Sequence, residues 1–147
     1  MMLRICDDNE EQAGDEMATN KKKLLIVETL SPDGRALLQE RGDIEMIEFP
    51  NTISAADFNA MLRAHAPVNG VALGATAFGA NEIVSSGEMK VVTRIGVGYD
   101  AVDVTALSAH RIPLMTTGVA NSPSVAECAL FMMLALAKRA AELDTLV

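Results

Sequence analysis

The sequence of 147 residues contains no tryptophan, and aromatic residues make up only 3% of it. Half of the residues are nevertheless hydrophobic, which is enough to bury the core of one ordinary domain. With so few aromatics, we expect that core to be aliphatic and rich in methionine. The only cysteines, Cys6 and Cys128, lie in a polar tail and an apolar segment, so no disulfide framework is indicated.

Basic residues are also scarce, since 12 Lys and Arg stand against 20 Asp and Glu and the formal net charge is −8. This balance argues against a nucleic-acid partner, which needs a basic surface. Acidic residues are frequent from Asp7 to Glu16, where a signal peptide would have an apolar region. The apolar run Cys128–Ala137 is too short to cross a bilayer. We therefore expect a cytoplasmic protein with no membrane partner.

The composition changes along the chain and predicts three segments. Residues 1–22 are polar and acidic without periodicity, which is typical of a disordered leader. Met17 would serve as a start as well as Met1 does. Residues 23–121 show the alternating strand and helix patterns of a folded domain, and residues 122–147 have the pattern of one helix.

Within residues 23–121, short apolar stretches alternate with helical patterns. The predicted strands cover residues 24–27, 44–49, 70–73, 91–95 and 113–116, and the predicted helices cover residues 31–40, 54–64, 81–85 and 103–109. This alternation predicts an α/β domain whose five-stranded parallel sheet has helices on both faces. We expect flavodoxin-like strand order, with ligands bound at the carboxyl ends of the strands.

The fourth predicted strand leads into Gly96-Val97-Gly98, and GVGYDA fits the pattern G-x-G-x-x-G/A. A dinucleotide fingerprint also needs an acidic residue after the next strand, and Thr117-Gly118 follows that strand here. We therefore interpret the loop as a site for a small anion, held by amides that no side chain covers. A plain turn with glycines for geometry is equally compatible with the spacing.

The last segment begins with Ser122-Pro123, typical of a helix start, and has no further proline or glycine. The sequence predicts one long helix through Val147. Because residues 128–137 are apolar on every side, we expect something other than the five-stranded domain to cover part of this helix. For Cys128 we expect a buried position.

Three linked segments, RIGVGYDAVDV, RIPLMTTGVANSPSVAE and the apolar helix ending at Lys138-Arg139, resemble the D-isomer-specific 2-hydroxyacid dehydrogenases. The likeness is strong over residues 90–139, looser from residue 23, and absent before it. Arg111 and Thr117-Gly118 depart from the family's usual residues. The resemblance implies the N-terminal, substrate-binding portion of a dehydrogenase. By this resemblance, we expect the NAD-binding Rossmann domain, which carries the true fingerprint in the family, to be absent from this sequence.

The resemblance also implies roles for individual residues. The substrate carboxylate would be held by the backbone of residues 95–98 and by Asn121. The nicotinamide of NAD or NADP would be bordered by residues near the loop and the last helix. The substrate-binding residues expected are Ile95, Gly96, Val97, Gly98 and Asn121, and the cofactor-binding residues expected are Val97, Ser122 and Val125. The other interpretation of Asn121 is a residue entering the Ser122 cap, and that of Val125 is an ordinary core position at the helix start.

No residue of this chain is expected to be catalytic or to bind a metal. The family's catalytic Arg, Glu and His positions belong to the other half, and we interpret His65 and His110 as surface residues. Arg94 could steer anions. Alone, the chain is expected to bind no cofactor tightly and to have no turnover. Homodimerisation through residues 122–147 is expected, because the family pairs through the equivalent helix.

The alternative to a dehydrogenase portion is a non-catalytic module that binds a small anion and dimerises through the same helix. A receiver domain has the same five-strand plan but needs clustered acids at the end of its first strand. Here Glu28 is followed by Thr29 and Leu30, which argues against that class.

Overall fold

The structure is a computed structural model, and it describes residues 21–146. The elements are β1 (Lys22–Val27), α1 (Pro32–Gln39), β2 (Ile44–Phe49), α2 (Ala55–His65), β3 (Val68–Leu73), α3 (Ala80–Ser86), β4 (Gly87–Arg94), α4 (Val104–Ala109), β5 (Leu114–Met115), α5 (Ser122–Ala137), α6 (Ala140–Leu143) and a 3₁₀ helix (Asp144–Leu146). Most of the predicted leader lies outside the described residues. Lys22 already belongs to β1, so the folded chain begins slightly earlier than predicted.

The five strands form one sheet of order β2-β1-β3-β4-β5, and every neighbouring pair is parallel. This order confirms the flavodoxin-like prediction. β1 pairs with β2 along its whole length, and β3 ends beside β4 with Leu73 opposite Arg94. All five carboxyl ends therefore lie at one edge of the sheet.

One face of the sheet carries the main core. Leu25, Val71 and Val92 occupy matched positions on β1, β3 and β4, and all three are buried. They pack in one cluster with Phe58 of α2 and with residues of α3 and α4. On the opposite face, Leu38 of α1 lines a small apolar cavity with residues of β1, β3 and β4. Helices thus cover both faces, as predicted.

The core is aliphatic, as expected, but it is not rich in methionine. Met89 is the only buried methionine among the described residues. Phe49, Phe58 and Phe78 supply the large side chains instead, with ring centroids 4.9 Å and 6.5 Å apart along the series. Three rings at the centre of the domain fill volume that the overall composition did not predict.

Three helices of this domain begin where the sequence predicts, because a side-chain oxygen accepts a free amide of the first turn. Ser31 accepts from Gly34 and Ser54 accepts from Asp57. Asp103 accepts from the amide of Ala106 at 2.9 Å. These caps set the lengths of the loops that follow β1, β2 and β4.

The chain divides into two compact units after Thr116. In the second unit, the predicted single helix through Val147 is wrong. α5 ends at Ala137, and Arg139 takes a left-handed conformation (φ 54°, ψ 44°) before α6 begins. Neither glycine nor proline marks this break in the sequence, so the pattern gave no signal for it.

The side chains of α5 are exposed almost throughout. Phe131 is 69% and Leu136 80% accessible, and no residue of α5 is buried within the described chain. Cys128 is exposed too, so the prediction of a buried cysteine is wrong. The expectation that this helix needs a cover from elsewhere agrees with its exposure.

Candidate functional site

The loop after β4 is held at its start by the neighbouring strand. The amide of Ile95 donates to the carbonyl of Leu73 at 2.8 Å, and the amide of Gly96 donates to the carbonyl of Arg94 at 3.0 Å. The first bond extends the β3–β4 ladder by one step past Arg94. The loop therefore leaves the sheet from a fixed point at its carboxyl edge.

Two of the four amides predicted to hold a carboxylate are therefore engaged within the domain. The amides of Val97 and Gly98 make no hydrogen bond to any residue in 21–146. Both residues are exposed. Of the four loop amides, only those of Val97 and Gly98 therefore remain available to a ligand within the described chain. Their role in binding a carboxylate stays a prediction.

The two glycines of the loop are there for different reasons. Gly96 has φ +152°, a conformation that side chains rarely adopt, and no atom lies within 4 Å of a Cβ built there. Gly98 has no such backbone, and a Cβ built on it would lie 3.4 Å from a carboxylate oxygen of Asp100. Gly96 thus shapes the turn, whereas Gly98 lies close to a negative charge that opposes anion binding.

Arg94 places a cation at the same edge. Its Nε and Nη1 atoms are buried and have no hydrogen-bond partner in the part of the chain that the structure describes. Arg94 lies opposite buried Leu73 in the ladder, which puts it on the core face of the sheet. A buried guanidinium without acceptors is costly, and an anion that accepts from it offsets that cost.

A second polar group at this edge was not predicted from the sequence. Asn51, just after β2, accepts from the amide of Ala75 through its side-chain Oδ1 at 3.2 Å. Its own amide donates to the carboxylate of Glu28 at 3.0 Å. Thr76 is buried with its hydroxyl unpaired among the described residues. The sequence signal for this group was the polar residue just after each of the first two strands, Glu28 after β1 and Asn51 after β2.

The remaining predicted site residues belong to the second unit. Asn121 is the N-cap position of α5, with no side-chain capping bond, so the cap lies one residue before the predicted Ser122. The side chain of Asn121 is not needed to hold the helix end. Ser122 and Val125 are exposed in the first turns, Val125 at 58%. Val125 therefore does not occupy the ordinary core position considered as its alternative.

The described residues contain no group of three or more His, Cys, Asp or Glu side chains able to hold a metal ion. Neither histidine lies among the residues of the site, and the ring Nδ1 of exposed His110 lies 2.9 Å from the carbonyl oxygen of Ala106. Over the same range, no helix is both long enough and apolar enough to cross a membrane.

Comparison with known proteins decides the family. The family model for the D-isomer specific 2-hydroxyacid dehydrogenase catalytic domain matches residues 24–143. The chain belongs to this family. The match runs from β1 to the last residue of α6, so it includes the loop after β4 and the whole of α5. The resemblance seen in the three linked segments is confirmed.

Curated relatives include D-3-phosphoglycerate dehydrogenases of several organisms. The rat protein is 32% identical over 120 residues, which is 82% of this chain and 22% of that protein. The Mycobacterium leprae protein is 37% identical over 70 residues, 48% of this chain and 13% of that protein. The chain therefore spans about a fifth of the length of the rat relative.

Solved structures share the fold at lower sequence identity. A Thermus thermophilus protein superposes with a TM-score of 0.72 and 23% identity, covering 82% of this chain and 38% of that one. The NADPH-dependent glyoxylate/hydroxypyruvate reductase of Sinorhizobium meliloti, solved with NADP and malonate, gives 0.59 and 22%, covering 78% and 34%. In both of these structures, the matched region is less than half of the whole chain.

Proposed function

We propose that this chain is the N-terminal substrate-binding portion of an NAD(P)-dependent D-2-hydroxyacid dehydrogenase. The proposal rests on two groups of unused hydrogen-bond donors in the described chain. They are the buried guanidinium nitrogens of Arg94 and the amides of Val97 and Gly98. These groups follow one another at the carboxyl edge of the sheet. A small carboxylate is the ligand that such donors favour.

In the complete enzyme, hydride passes between C2 of a 2-hydroxy acid and the nicotinamide, which supplies or accepts it when bound. The residues here orient the substrate for that transfer. The amides of Val97 and Gly98 bind its carboxylate, Arg94 supplies a positive charge nearby, and Asn121 donates a further hydrogen bond. Fixing the carboxylate in this way reduces the orientational freedom of C2 before the chemical step.

The side chains of Val97 and Val125 are apolar and exposed, and Ser122 carries an exposed hydroxyl; the family resemblance assigns all three to the nicotinamide. The pyrophosphate cradle and the general acid and base belong to the nucleotide-binding half. Nothing in GVGYDA replaces that cradle. The chain alone therefore binds NAD or NADP weakly and has no turnover.

The partners that follow are a small 2-hydroxy or 2-oxo acid, the nucleotide-binding domain and a second copy of the chain. The exposed apolar surface of α5 supports homodimerisation, because a helix apolar on all sides is stabilised when another chain covers it. A cytoplasmic location fits this chemistry and remains part of the proposal.

A titration of the ¹⁵N-labelled chain with glyoxylate, followed by amide chemical shifts, tests the substrate role. We expect saturable shifts at Val97 and Gly98, and none with glycolaldehyde, which lacks the carboxylate. Arg94→Gln is expected to weaken glyoxylate binding about tenfold, because one charge-assisted contact is lost. Arg63→Gln is a matched control, since Arg63 lies on α2 and donates to Ser85. Glyoxylate shifts absent from the loop would refute the proposal.

A steady-state assay tests the inactivity of the chain alone. The pure chain with NADH and glyoxylate or hydroxypyruvate is expected to oxidise no NADH above the buffer rate. Turnover would mean that the chain itself holds the catalytic groups.

The second candidate function, a non-catalytic module for anion binding and dimerisation, is favoured by the same loop and by exposed α5. That module would keep ligand binding and dimerisation with no nucleotide-binding partner at all.

A further inference from the structure

The loop that follows β4, residues 95–101 and here called the anion loop, is held at both ends by the connection that follows β3. At its start, the amide of Ile95 donates to the carbonyl of Leu73 at 2.8 Å. At its end, the amide of Phe78 donates to the carbonyl of Ala101 at 3.0 Å, and this bond is here called the exit anchor. One short segment of the chain thus supplies both points of attachment.

Between these two attachments, the anion loop is longer than the segment beside it. Leu73 lies opposite Arg94, 21 positions later, whereas Phe78 lies opposite Val102, 24 positions later. The anion loop therefore has extra residues, which bulge out of the pairing between two fixed points. The two free amides described above lie in this bulge, so their directions depend on both attachments.

The exit anchor is itself held by the start of α3. The ring of Phe78 is buried, with its centroid 6.5 Å from that of Phe58 on α2. One residue later, the amide of Gly79 donates to the carboxylate of Glu82 at 2.8 Å. The other oxygen of that carboxylate accepts from the side chain of Asn59 on α2. Glu82 therefore fixes the residue next to the exit anchor to two helices.

The charge of Glu82 by itself opposes an anion at the loop. Glu82 and Asp100 line the same open cleft of about 500 Å³ beside the exit anchor. A Cβ built at Gly98 would lie 3.4 Å from a carboxylate oxygen of Asp100, so the cleft adjoins one of the residues with a free amide. If charge alone decided, removal of the Glu82 carboxylate would strengthen anion binding.

From these contacts we infer that Glu82 is a positioning residue for the substrate carboxylate. It acts through Gly79 and Phe78, which hold the exit of the anion loop, and it does not contact the ligand. The inference rests on the proposed function. Two adjacent amides bind one carboxylate well only when both are fixed in direction. The effect of Glu82 on binding is therefore opposite to the effect of its charge.

Glyoxylate titrations of the 147-residue chain, followed by amide chemical shifts, test this role. Glu82→Ala removes the acceptor for the Gly79 amide and is expected to weaken glyoxylate binding about fivefold, although it removes a negative charge from the cleft. Glu82→Gln keeps an acceptor for Gly79 and is expected to bind glyoxylate within about twofold of the unaltered chain.

A second variant tests the same role without changing any charge. Asn59→Ala removes the α2 side chain that donates to Glu82 and leaves the Glu82 carboxylate in the cleft. It is expected to weaken glyoxylate binding about threefold, because the carboxylate that holds Gly79 is then less fixed. The result therefore does not depend on the folding of Glu82→Ala.

The matched control is Asp57→Ala. Asp57 is the third residue of α2, as Glu82 is of α3, and its carboxylate accepts from the N-cap hydroxyl of Ser54 at 2.6 Å. α2 follows β2, which β1 and β3 separate from β4 in the sheet. The control removes the same charge from a helix start and is expected to lower stability to urea similarly. Its glyoxylate affinity should stay within about twofold of the unaltered chain.

Amide hydrogen exchange gives a readout that helix capping alone does not move. The amides of Phe78 and Asp103 donate across the exit at 3.0 Å and 2.9 Å, and that of Ile95 donates at the entrance. In Glu82→Ala, exchange at the two exit amides is expected to be about tenfold faster than in Asp57→Ala, while the Ile95 amide exchanges alike in both.

The outcomes separate the inference from the proposed function. Unchanged or tighter glyoxylate binding in Glu82→Ala overturns the role of Glu82 and leaves the proposed function standing, and so does an equal loss of affinity in Asp57→Ala. If Glu82→Ala does not fold, unchanged binding in Asn59→Ala overturns it instead. If glyoxylate shifts neither free amide of the unaltered chain, the proposed function fails, and the inference fails with it.

Discussion

The amide of Ile95 donates to the carbonyl of Leu73 at 2.8 Å, which ties the loop after β4 to the end of β3. Together with the Gly96–Arg94 bond, it uses the first two amides of the loop and leaves those of Val97 and Gly98 without a partner in the described chain. The loop therefore presents two adjacent amides that are free to bind a ligand beyond the end of β4.

Gly96→Ala is expected to lower the free energy of unfolding by about 1 kcal/mol or more, because alanine tolerates φ +152° poorly. Urea denaturation of the chain measures the change. Gly42→Ala is the matched control, since a Cβ there meets no atom within 4 Å and its backbone is not in the glycine region. An equal loss in both variants would mean that the Gly96 backbone is not what the loop requires.

Asp100→Asn is expected to raise the affinity for glyoxylate about fivefold, since it removes a carboxylate that lies near Gly98 and repels the bound anion. The gain should shrink as salt screens the repulsion. Amide-shift titrations at two ionic strengths measure both effects. Asp33→Asn, a charge change in the first turn of α1, should leave the affinity as it was. A decrease in affinity for Asp100→Asn would show that this carboxylate supports the ligand.

Phe131→Glu combined with Leu134→Glu is expected to convert a dimer into a monomer. Both side chains are more than half exposed on α5, and a charge in a packed apolar interface loses its hydration. Sedimentation at micromolar concentration measures the state. Leu37→Glu alters a comparably exposed leucine on α1 and should remain dimeric. If the unaltered chain sediments as a monomer, pairing through α5 is refuted.

Arg111→Gly is expected to stabilise the first unit by roughly 0.5–1 kcal/mol. Arg111 has φ 57°, a conformation that costs an ordinary residue on the order of 1–2 kcal/mol, and the added freedom of glycine in the unfolded chain offsets part of the gain. Arg111→Ala keeps the strained backbone and separates this effect from loss of the side chain. Denaturant unfolding compares the two, and a more stable alanine variant would contradict the account.

The fold was predicted well where an apolar stretch is flanked by residues typical of turns and helix caps. β2 has the predicted bounds, Ile44–Phe49, and Asp103 caps α4 as expected. β4 begins at Gly87, earlier than predicted. The sequence did not indicate this start because the first residues of the strand are largely polar and exposed. The break at Arg139 depends on a left-handed arginine, for which no residue pattern in this chain gives a signal.

The candidate site was predicted only in part, for a related reason. GVG was visible as a motif, but which amides remain free depends on Leu73, a residue distant in sequence from the loop. The bond from Ala75 to Asn51 likewise arises from the parallel pairing of β1 with both β2 and β3. Contacts between strand ends depend on sheet order, and a linear pattern carries little information about them.

The most direct test of the substrate role is an isotope-filtered NOE experiment on the labelled chain with unlabelled glycolate. The account predicts transfer from the glycolate methylene protons to the amides of Val97 and Gly98, and loss of that transfer in Arg94→Gln. Transfer to amides elsewhere in the domain, with none to this pair, would contradict the central claim that the loop after β4 holds the substrate carboxylate.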